Sequence, residues 1–347
     1  MPRYYTRVCN FYYGTHSKSL VKKKKSLSLN GRKEISFDHI EIISRKFKKK
    51  ISINEINNLS YLKRKKIKKD LKTIIAPKKF KNLKFNSIPK IMGILNVTPD
   101  SFSDGGRFNK DHLAKKQMKH LFKCGADIVD IGGESTRPGS KPINSKKEWK
   151  RIKNILKNAD KKKFISLDTR KSSIMAKGIN LGVKLINDVS GLSYDDNTID
   201  VLKKLQIPFV LQHSLGTPDV MQNNPKYNNV LLDIYDFFEE KIRYLRKIGI
   251  RHNNIILDPG IGFGKNLKHN MKIIRDISIY HSLGFPILLG ISRKKFIKEL
   301  SGINDSYLRL GGTISSSIFL MMQGVQILRV HDVNEINQSV KVFKELI

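Results

Sequence analysis

The stretch ADIVDIGGE (126–134) shows a pattern that recurs along the chain. A short apolar run leads into polar residues capable of chemistry, here Asp130 and Glu134. Seven further runs do the same at helix-plus-loop intervals: IMGILN ending at Asn96, FISLD at Asp168, KLIND at Asn187 and Asp188, PFVLQH at His213, NIILD at Asp258, PILLGISRK with Arg293 and Lys294, and QILRVHD with Arg329 and His331. Eight such units make a closed (β/α)8 barrel, whose carboxyl strand ends carry the active site. The pattern therefore predicts an α/β TIM barrel and its catalytic face.

The chain is longer than a barrel needs. It has 347 residues, whereas a single barrel takes about 250. Because the first barrel-like strand begins near Ile91, the surplus lies at the N-terminus. We predict a small, basic, partly ordered extension and linker over residues 1–86 and a catalytic barrel domain over residues 87–347.

The extension itself has recognisable parts. Residues 35–43 have the composition of a strand. Residues 52–75 have apolar side chains near helical spacing, with Ser52 or Asn54 as a cap. Residues 76–90 contain two prolines and five lysines, which favours a linker.

The net charge of +37 is unevenly distributed. Residues 1–90 hold 26 Lys and Arg against 5 Asp and Glu, and the rest of the chain holds 41 against 25. Such charge favours polyanions, anionic membranes or phosphorylated substrates. Lys, Ile and Asn are abundant throughout, however, so we attribute the total charge to general composition and do not expect nucleic acid to be the main partner.

Cysteine usage and hydropathy exclude several classes of protein. Cys9 and Cys124 form no CxxC pair, which gives no support to a disulfide framework or a structural zinc site. No run approaches the roughly 20 apolar residues of a membrane span, and we expect no membrane partner. The first 33 residues lack acids, as transit peptides do. The strand-like sequence that follows favours a cytoplasmic protein, with organellar targeting as the alternative.

Four acids and amides stand at predicted strand ends: Asp130, Asp168, Asn187 and Asp258. Unpaired carboxylates in a barrel interior are costly. Each one alone could cap a helix or pair with a lysine. Together they offer acceptors suited to a flat, nitrogen-rich heterocycle, because a carboxylate can accept two N–H bonds from an amino-pyrimidinone edge.

A second group of residues suits an anion. Arg329 and His331 lie two apart, so their side chains point to one face of a strand. Arg binds phosphate through two hydrogen bonds, and strands 7 and 8 often form a phosphate site in this fold. Thr136 and Arg137 join this group, and Asn96 offers an oxygen for Mg²⁺. The alternative is that Arg329 pairs with an outer helix.

The segments after strands 6 and 7 are less decisive. Lys294 could point into the barrel mouth, although a lysine in a basic run is usually solvated. DPGIGFGK (258–265) lacks the spacing of a phosphate-binding P-loop. Its glycines suit a loop that approaches a planar ligand, with Phe263 or Lys265 covering it. We interpret His213 as structural, because no Ser or Cys partner is evident.

With these residues assembled, the chain strongly resembles the dihydropteroate synthases over about residues 90–347. Seven segments match the family in its order: NVTPDSFSDGG (96–106), DIGGESTRPG (130–139), SLDTRK (166–171), INDVSG (186–191), LDPGIGFGK (257–265), GISRKK (290–295) and ILRVHDV (327–333). The resemblance implies a Mg²⁺-dependent transferase. It would join 6-hydroxymethyl-7,8-dihydropterin pyrophosphate to p-aminobenzoate, with 7,8-dihydropteroate and pyrophosphate as products.

The resemblance also implies roles for single residues. Asp168, Asn187, Asp258 and Lys294 would hold the pterin, with Asp130 at the edge of its pocket. Asn96, Arg329 and His331 match the pyrophosphate positions, with Asn96 reaching the metal. Lys294, Arg329 and His331 are the expected catalytic residues. The two lid loops would bring Thr136 and Arg137 to the site and would shape the p-aminobenzoate region with Phe102 and Pro138. We expect a homodimer.

One departure from the family pattern and two alternative functions remain open. Gln212 and Ser214 flank His213 where many members of the family carry methionine, which affects the floor of the pterin pocket. A pterin-binding methyltransferase would share the Asp and Asn pocket without needing Arg329 and His331. A basic nucleic-acid-binding protein would use the extension and would leave the seven segments unexplained.

Overall fold

A computed structural model describes residues 3–81, 83–85, 88–98, 110–135, 139–216 and 224–347. The extension has regular secondary structure from Tyr5 onward. Its elements are β1 Tyr5–Tyr13, α1 Gly14–Lys22, β2 Leu27–Leu29, β3 Arg32–Ile43, β4 Lys48–Ser52, a 3₁₀ segment Ile53–Asn58 and α2 Tyr61–Ile75. The long strand β3 pairs antiparallel with β1, β2 and β4. The strand predicted at 35–43 is confirmed and is longer than predicted.

The prediction of one helix over residues 52–75 is wrong at its centre. Ser52 does act as a cap: its hydroxyl accepts from Asn54 N, and Glu55 accepts from Ser52 N. That capping box starts only the 3₁₀ segment, which ends before the extended residue Leu59. Helix α2 then begins anew after Ser60. Ile56 from the first piece and Ile67, Leu71 and Ile74 from α2 belong to one apolar cluster with residues of the extension's sheet.

The barrel follows the predicted order of strands and helices. Its strands are β5 Lys90–Asn96, β6 Ile128–Gly132, β7 Ile165–Asp168, β8 Leu185–Asp188, β9 Phe209–Gln212, β10 Ile255–Asp258, β11 Leu288–Gly290 and β12 Ile327–Val330. Its helices are α3 Lys110–Lys123, α4 Ser145–Lys157, α5 Ser172–Asn180, α6 Thr198–Leu205, α7 Val230–Lys247, α8 Leu267–Arg275, α9 Lys295–Ser301, α10 Leu310–Met322 and α11 Val333–Leu346, with 3₁₀ segments His252–Asn254 and Ile277–Leu283.

The eight barrel strands form one parallel sheet in the order β10-β9-β8-β7-β6-β5-β12-β11. A parallel bridge between Leu257 and Ile287 joins its two ends. This closure confirms the predicted (β/α)8 barrel. None of the helices in the described ranges is long and apolar enough to cross a membrane.

The interior of the barrel changes character along its axis. Near the amino ends of the strands, one buried apolar cluster gathers side chains from seven of the eight strands and Phe80: Met92, Ile128, Leu185, Val210, Ile256, Leu288 and Ile327. Side chains two positions apart on a strand point the same way. The next inward layer therefore contains Asp130, Asn187, Gln212, Asp258, Gly290 and Arg329. The strand alternation alone places an apolar plug below a polar layer.

Residues 76–90 are not the free linker that their composition suggests. Pro77 packs at Gly31, and Lys78 Nζ donates to the carbonyl oxygens of Thr73 (2.8 Å) and His281 (3.3 Å). Phe80 is 8% exposed and closes the apolar end of the barrel. The segment runs across the amino end of the barrel because its aromatic side chains cover that end.

The extension packs on the outside of the barrel. Tyr5 meets Tyr235 edge to face at 5.1 Å, and its hydroxyl donates to Asp236 at 2.8 Å. Arg45 pairs with Asp233 and Asp236, each at 2.7 Å. In the 52–75 region, Leu62 is 56% exposed and Ile56 belongs to the extension's own core. Both β1 and α2 contact the barrel, at its 3₁₀ segment Ile277–Leu283.

Candidate active site

The polar layer at the carboxyl ends contains a connected group of three buried residues and one partly buried arginine, which we name the mouth cluster: Asp130, Asp168, Asn187 and Arg329. Arg329 donates from Nε to Asp130 Oδ2 at 2.6 Å and from Nη2 to Asp168 Oδ2 at 2.7 Å. Asn187 Nδ2 donates to the same Asp130 oxygen at 2.9 Å. Arg329 therefore points into the barrel and not toward an outer helix.

The mouth cluster retains unused acceptors. Within the part of the chain that the structure describes, Asp130 Oδ1, Asp168 Oδ1 and Asn187 Oδ1 are buried and make no hydrogen bond. Buried acceptors are nearly always satisfied in folded proteins. Three of them on adjacent strands form a surface that accepts N–H donors. This is the chemistry that an amino-pyrimidinone edge requires.

Burial changes the protonation of these acids. It raises the pKa of Asp168 above its usual range, and the nearby charge of Arg329 only partly opposes this effect. Burial also raises the pKa of Asp258 to about 6, although Gly260 N donates to its Oδ1 at 2.7 Å and favours the charged form. The pKa values of both carboxyl groups are thus shifted toward neutral pH. Such shifts are common at functional sites.

Lys294 lies at the wall of the same mouth. Its Nζ donates to Ile261 O at 2.8 Å and lies 4.4 Å from the centre of the Phe263 ring. Burial lowers the pKa of Lys294 to about 8, while the charge of Asp258 partly opposes that effect. The structure thus brings Lys294 to the glycine-rich loop after β10, and it is not a solvated lysine.

Two further predicted residues, His331 and Asn96, lie at the rim. His331 follows β12, and its Nδ1 lies 3.1 Å from Ser292 Oγ. Asn96 ends β5, where a Cβ built on Gly132 would be 3.6 Å from its Oδ1 and 3.4 Å from Asp168 Cβ. Asn96 therefore faces the region above Asp168. Phe102, Thr136, Arg137 and Pro138 lie outside the described residues.

The two departures from the family pattern have local partners. Gln212 is buried, and its amide donates to Val189 O at 3.1 Å. The Ser214 hydroxyl donates to Gly216 O at 3.2 Å. Gln212 therefore ties β9 to the loop after β8 while standing in the polar layer.

A second buried ionic group was not predicted from the sequence. We name it the paired cluster: Glu134, Glu148, Arg170 and Lys171. Lys171 Nζ bridges Glu134 Oε2 (3.0 Å) and Glu148 Oε2 (2.6 Å), and Arg170 Nη2 donates to Glu134 Oε2 at 3.0 Å. The remaining two carboxylate oxygens accept from Ile143 N (2.7 Å) and Thr169 Oγ1 (2.6 Å). Glu134 was noted in its apolar run, but nothing in that run indicates its partners.

Comparisons with known proteins agree with this site. A family model described as pterin binding enzyme matches residues 92–331. The dihydropteroate synthase of Escherichia coli K12 is 38% identical over 258 residues, which cover 74% of this chain and 91% of the relative. That of Neisseria meningitidis serogroup B is 40% identical over 265 residues, covering 74% and 93%. The barrel is thus that of a pterin-binding enzyme.

Solved structures give the same result. The dihydropteroate synthase of Clostridium difficile, solved in the presence of pteroic acid, superposes with a TM-score of 0.71 at 37% identity and covers 76% of this chain and 98% of its own. The Yersinia pestis enzyme in complex with a sulfonamide drug gives 0.70 at 36% identity, covering 77% and 97%. The chain belongs to the dihydropteroate synthase family. It is accordingly a transferase of folate biosynthesis.

Proposed function

We propose that the mouth cluster binds the pterin of 6-hydroxymethyl-7,8-dihydropterin pyrophosphate and that the rim above it binds the pyrophosphate. The observation that carries this assignment is the set of unused acceptors on Asp130, Asp168 and Asn187. The ring nitrogens and the amino group of the pterin donate to these oxygens and to Asp258. Lys294 and Phe263 form the wall beside the ring.

Arg329 connects the two parts of the site. A guanidinium has five N–H donors, and the bonds to Asp130 and Asp168 use two of them. The fork thus keeps donors for a pyrophosphate oxygen, and the two carboxylates hold its plane fixed. His331 adds a further donor from the end of the same strand, β12. This arrangement stabilises the charge that develops on the leaving group.

Asn96 is the residue that would hold Mg²⁺. The described residues contain no group of three His, Cys, Asp or Glu that could hold a metal. A single amide oxygen beside the pyrophosphate site suits Mg²⁺, which keeps several waters and binds largely through substrate phosphates. When bound, the metal supplies neutralising charge to the pyrophosphate.

The reaction breaks the bond between the pterin methylene carbon and the pyrophosphate oxygen. The amine of p-aminobenzoate forms the new C–N bond to that carbon and then loses a proton. The electron-rich dihydropterin delocalises the positive charge that develops on the carbon, so the reaction needs no strong general base. Phe102, Thr136, Arg137 and Pro138 are proposed to shape the p-aminobenzoate region. A dihydropteroate synthase of Xanthomonas albilineans has been solved with 4-aminobenzoic acid; it is 34% identical, has a TM-score of 0.70, and covers 75% of this chain and 93% of its own.

The test is direct formation of 7,8-dihydropteroate from the two substrates, measured by chromatography with mass detection. Activity should require both substrates and Mg²⁺, and a sulfonamide should compete with p-aminobenzoate. Noncompetitive inhibition against p-aminobenzoate would contradict the shared site. We further propose that the protein acts in the cytoplasm and forms a homodimer. Light scattering on purified protein would check the homodimer.

A further inference from the structure

Lys265 is a buried lysine next to the site that has no role in the proposed chemistry. It is 3% exposed. Its Nζ lies 3.1 Å from His213 Nδ1, 3.3 Å from His213 O and 2.9 Å from Phe263 O. An ammonium has three N–H donors, so these three acceptors match its full capacity. A buried charge is costly unless it is hydrogen-bonded, and all three of these contacts are to neutral atoms.

These contacts join two loops that are already very close. A Cβ on Gly260 would lie 2.1 Å from His213 O, and one on Gly264 would lie 2.7 Å from Leu215 Cβ and 2.8 Å from Leu215 O. Both glycines have positive φ, at 69° and 63°. The glycines thus allow the loop after β10 to lie directly against the loop after β9, and Lys265 bonds the two loops together beneath this contact.

His213 has the protonation that this contact needs. Burial and the charge of Lys265 lower the pKa of His213 to about 2. The imidazole is therefore neutral, and the donor on Lys265 assigns its proton to Nε2. The ring also meets Phe237 edge to face at 4.9 Å. His213 is structural, as predicted, and it supplies two of the three acceptors for Lys265.

The loop fixed in this way carries several parts of the pterin wall. Its Ile261 carbonyl accepts from Lys294, its Phe263 ring faces Lys294, and its Gly260 N–H donates to Asp258. We propose that Lys265 is a positioning residue for pterin binding. It holds the loop of residues 259–264 against His213 and so fixes the relative positions of Asp258, Phe263 and Lys294. This inference rests on the proposed pterin site and concerns a residue that touches no substrate.

The experiment compares Lys265→Met with Lys268→Met in the full chain. Methionine keeps the length of the stem and removes the three donors, and Lys268 is an exposed lysine only three residues further on. An oxidised pterin without pyrophosphate is titrated against each protein by calorimetry, and KM is measured for both substrates. We expect Lys265→Met to weaken pterin binding about tenfold or more. The KM for p-aminobenzoate should stay within about twofold at saturating pterin substrate.

The outcomes separate positioning from simple stability. A folded Lys265→Met protein with a lower melting temperature but unchanged pterin affinity would show that Lys265 is only structural. Equal increases of both KM values would also overturn the proposal. If Lys265→Met does not fold, Lys265→Gln, which keeps a neutral donor, decides the same comparison with a smaller expected loss. Failure of the unaltered protein to bind the pterin would instead reject the pterin site itself.

Discussion

The mouth cluster and the paired cluster lie at the same end of the barrel, and both bury carboxylates beside arginine or lysine. In the paired cluster all four carboxylate oxygens of Glu134 and Glu148 accept a hydrogen bond from the chain. In the mouth cluster three acceptor oxygens have no such donor among the described residues. Buried charge alone therefore does not identify a site. Several unused acceptors gathered at the barrel mouth are a better indication, because a ligand bound there can satisfy them together.

Among changes to the mouth cluster, Arg329→Ala is expected to have the largest effect on ligand binding and turnover. The change removes the donors that we assign to pyrophosphate and also leaves two carboxylates buried without their cation. Loss of such a contact weakens binding by roughly 2–5 kcal/mol, and turnover should be abolished. Calorimetric titration of pyrophosphate with Mg²⁺ checks this, with the exposed Arg243→Ala as the control. Equal affinities in the two variants would end the assignment.

Asp168→Asn should have the next largest effect. The amide keeps one oxygen acceptor but cannot be charged, so each hydrogen bond from the pterin becomes weaker. A bond to a charged group contributes about 1.5–3 kcal/mol, so pterin affinity should fall by roughly ten- to a hundredfold while unfolding stays cooperative. Pterin titration and thermal melting measure the two properties separately. A variant that melts early yet binds pterin normally would make this carboxylate structural.

Some parts of the site could be predicted from the sequence, and others could not. Asp130, Asn187 and Asp258 were predictable because strand alternation places them two residues beyond buried apolar side chains. The pairing of Arg329 with Asp130 was not, because the two residues are 199 positions apart and either could have had another partner. The contact of Lys265 with His213 joins two loops and leaves no periodic trace in the sequence.

The extension shows a second reason for failure. Strand β1 was missed because both of its faces are covered: Tyr5 belongs to the barrel core, whereas Val8 belongs to the core of the extension. A strand covered on both faces loses the period of two that identifies a half-exposed strand. The linker prediction was wrong for a related reason. In the sequence Phe80 is a single aromatic residue without a periodic pattern, and only the structure shows that it covers the amino end of the barrel.

Two buried carboxylates, Asp258 beside the mouth cluster and Glu134 in the paired cluster, should have opposite effects on the pH dependence of stability. Burial raises the pKa of Asp258, so the folded state binds its proton more tightly than the unfolded chain, and this contribution to stability is lost as pH rises through about 6. Glu134 differs, because although burial alone would raise its pKa, its hydrogen bonds and the charge of Arg170 lower it overall. Its contribution is therefore present above the unfolded pKa and is lost as pH falls through the lower folded value.

Two isosteric changes test this difference in sign. At pH 7 to 8, Asp258→Asn should stabilise the fold by about 1–2 kcal/mol while weakening pterin binding. Glu134→Gln should destabilise the fold by about 1–3 kcal/mol, because it weakens a buried ion pair. Denaturant unfolding at pH 5 and pH 8 measures both changes. If both substitutions destabilise the fold equally at pH 8, the opposite pKa shifts of Asp258 and Glu134 do not govern stability.

The smallest effect on chemistry is expected from removing the extension, because every residue of the mouth cluster lies after position 90. We therefore predict that a chain starting at Pro77 keeps a turnover number close to that of the full chain. It should lose stability, since Tyr235 and Tyr280 would lose the cover of β1.

A chain starting at Asn86 also lacks Phe80, whose burial at the amino end of the barrel is worth about 3 kcal/mol or more. Phe80→Ala in the full chain isolates that contribution. Pteroate formation and circular dichroism should be measured for all three proteins. A shortened chain that folds well yet forms no pteroate would show that the extension contributes to the active site, and the division of the chain at residue 86 would then be wrong.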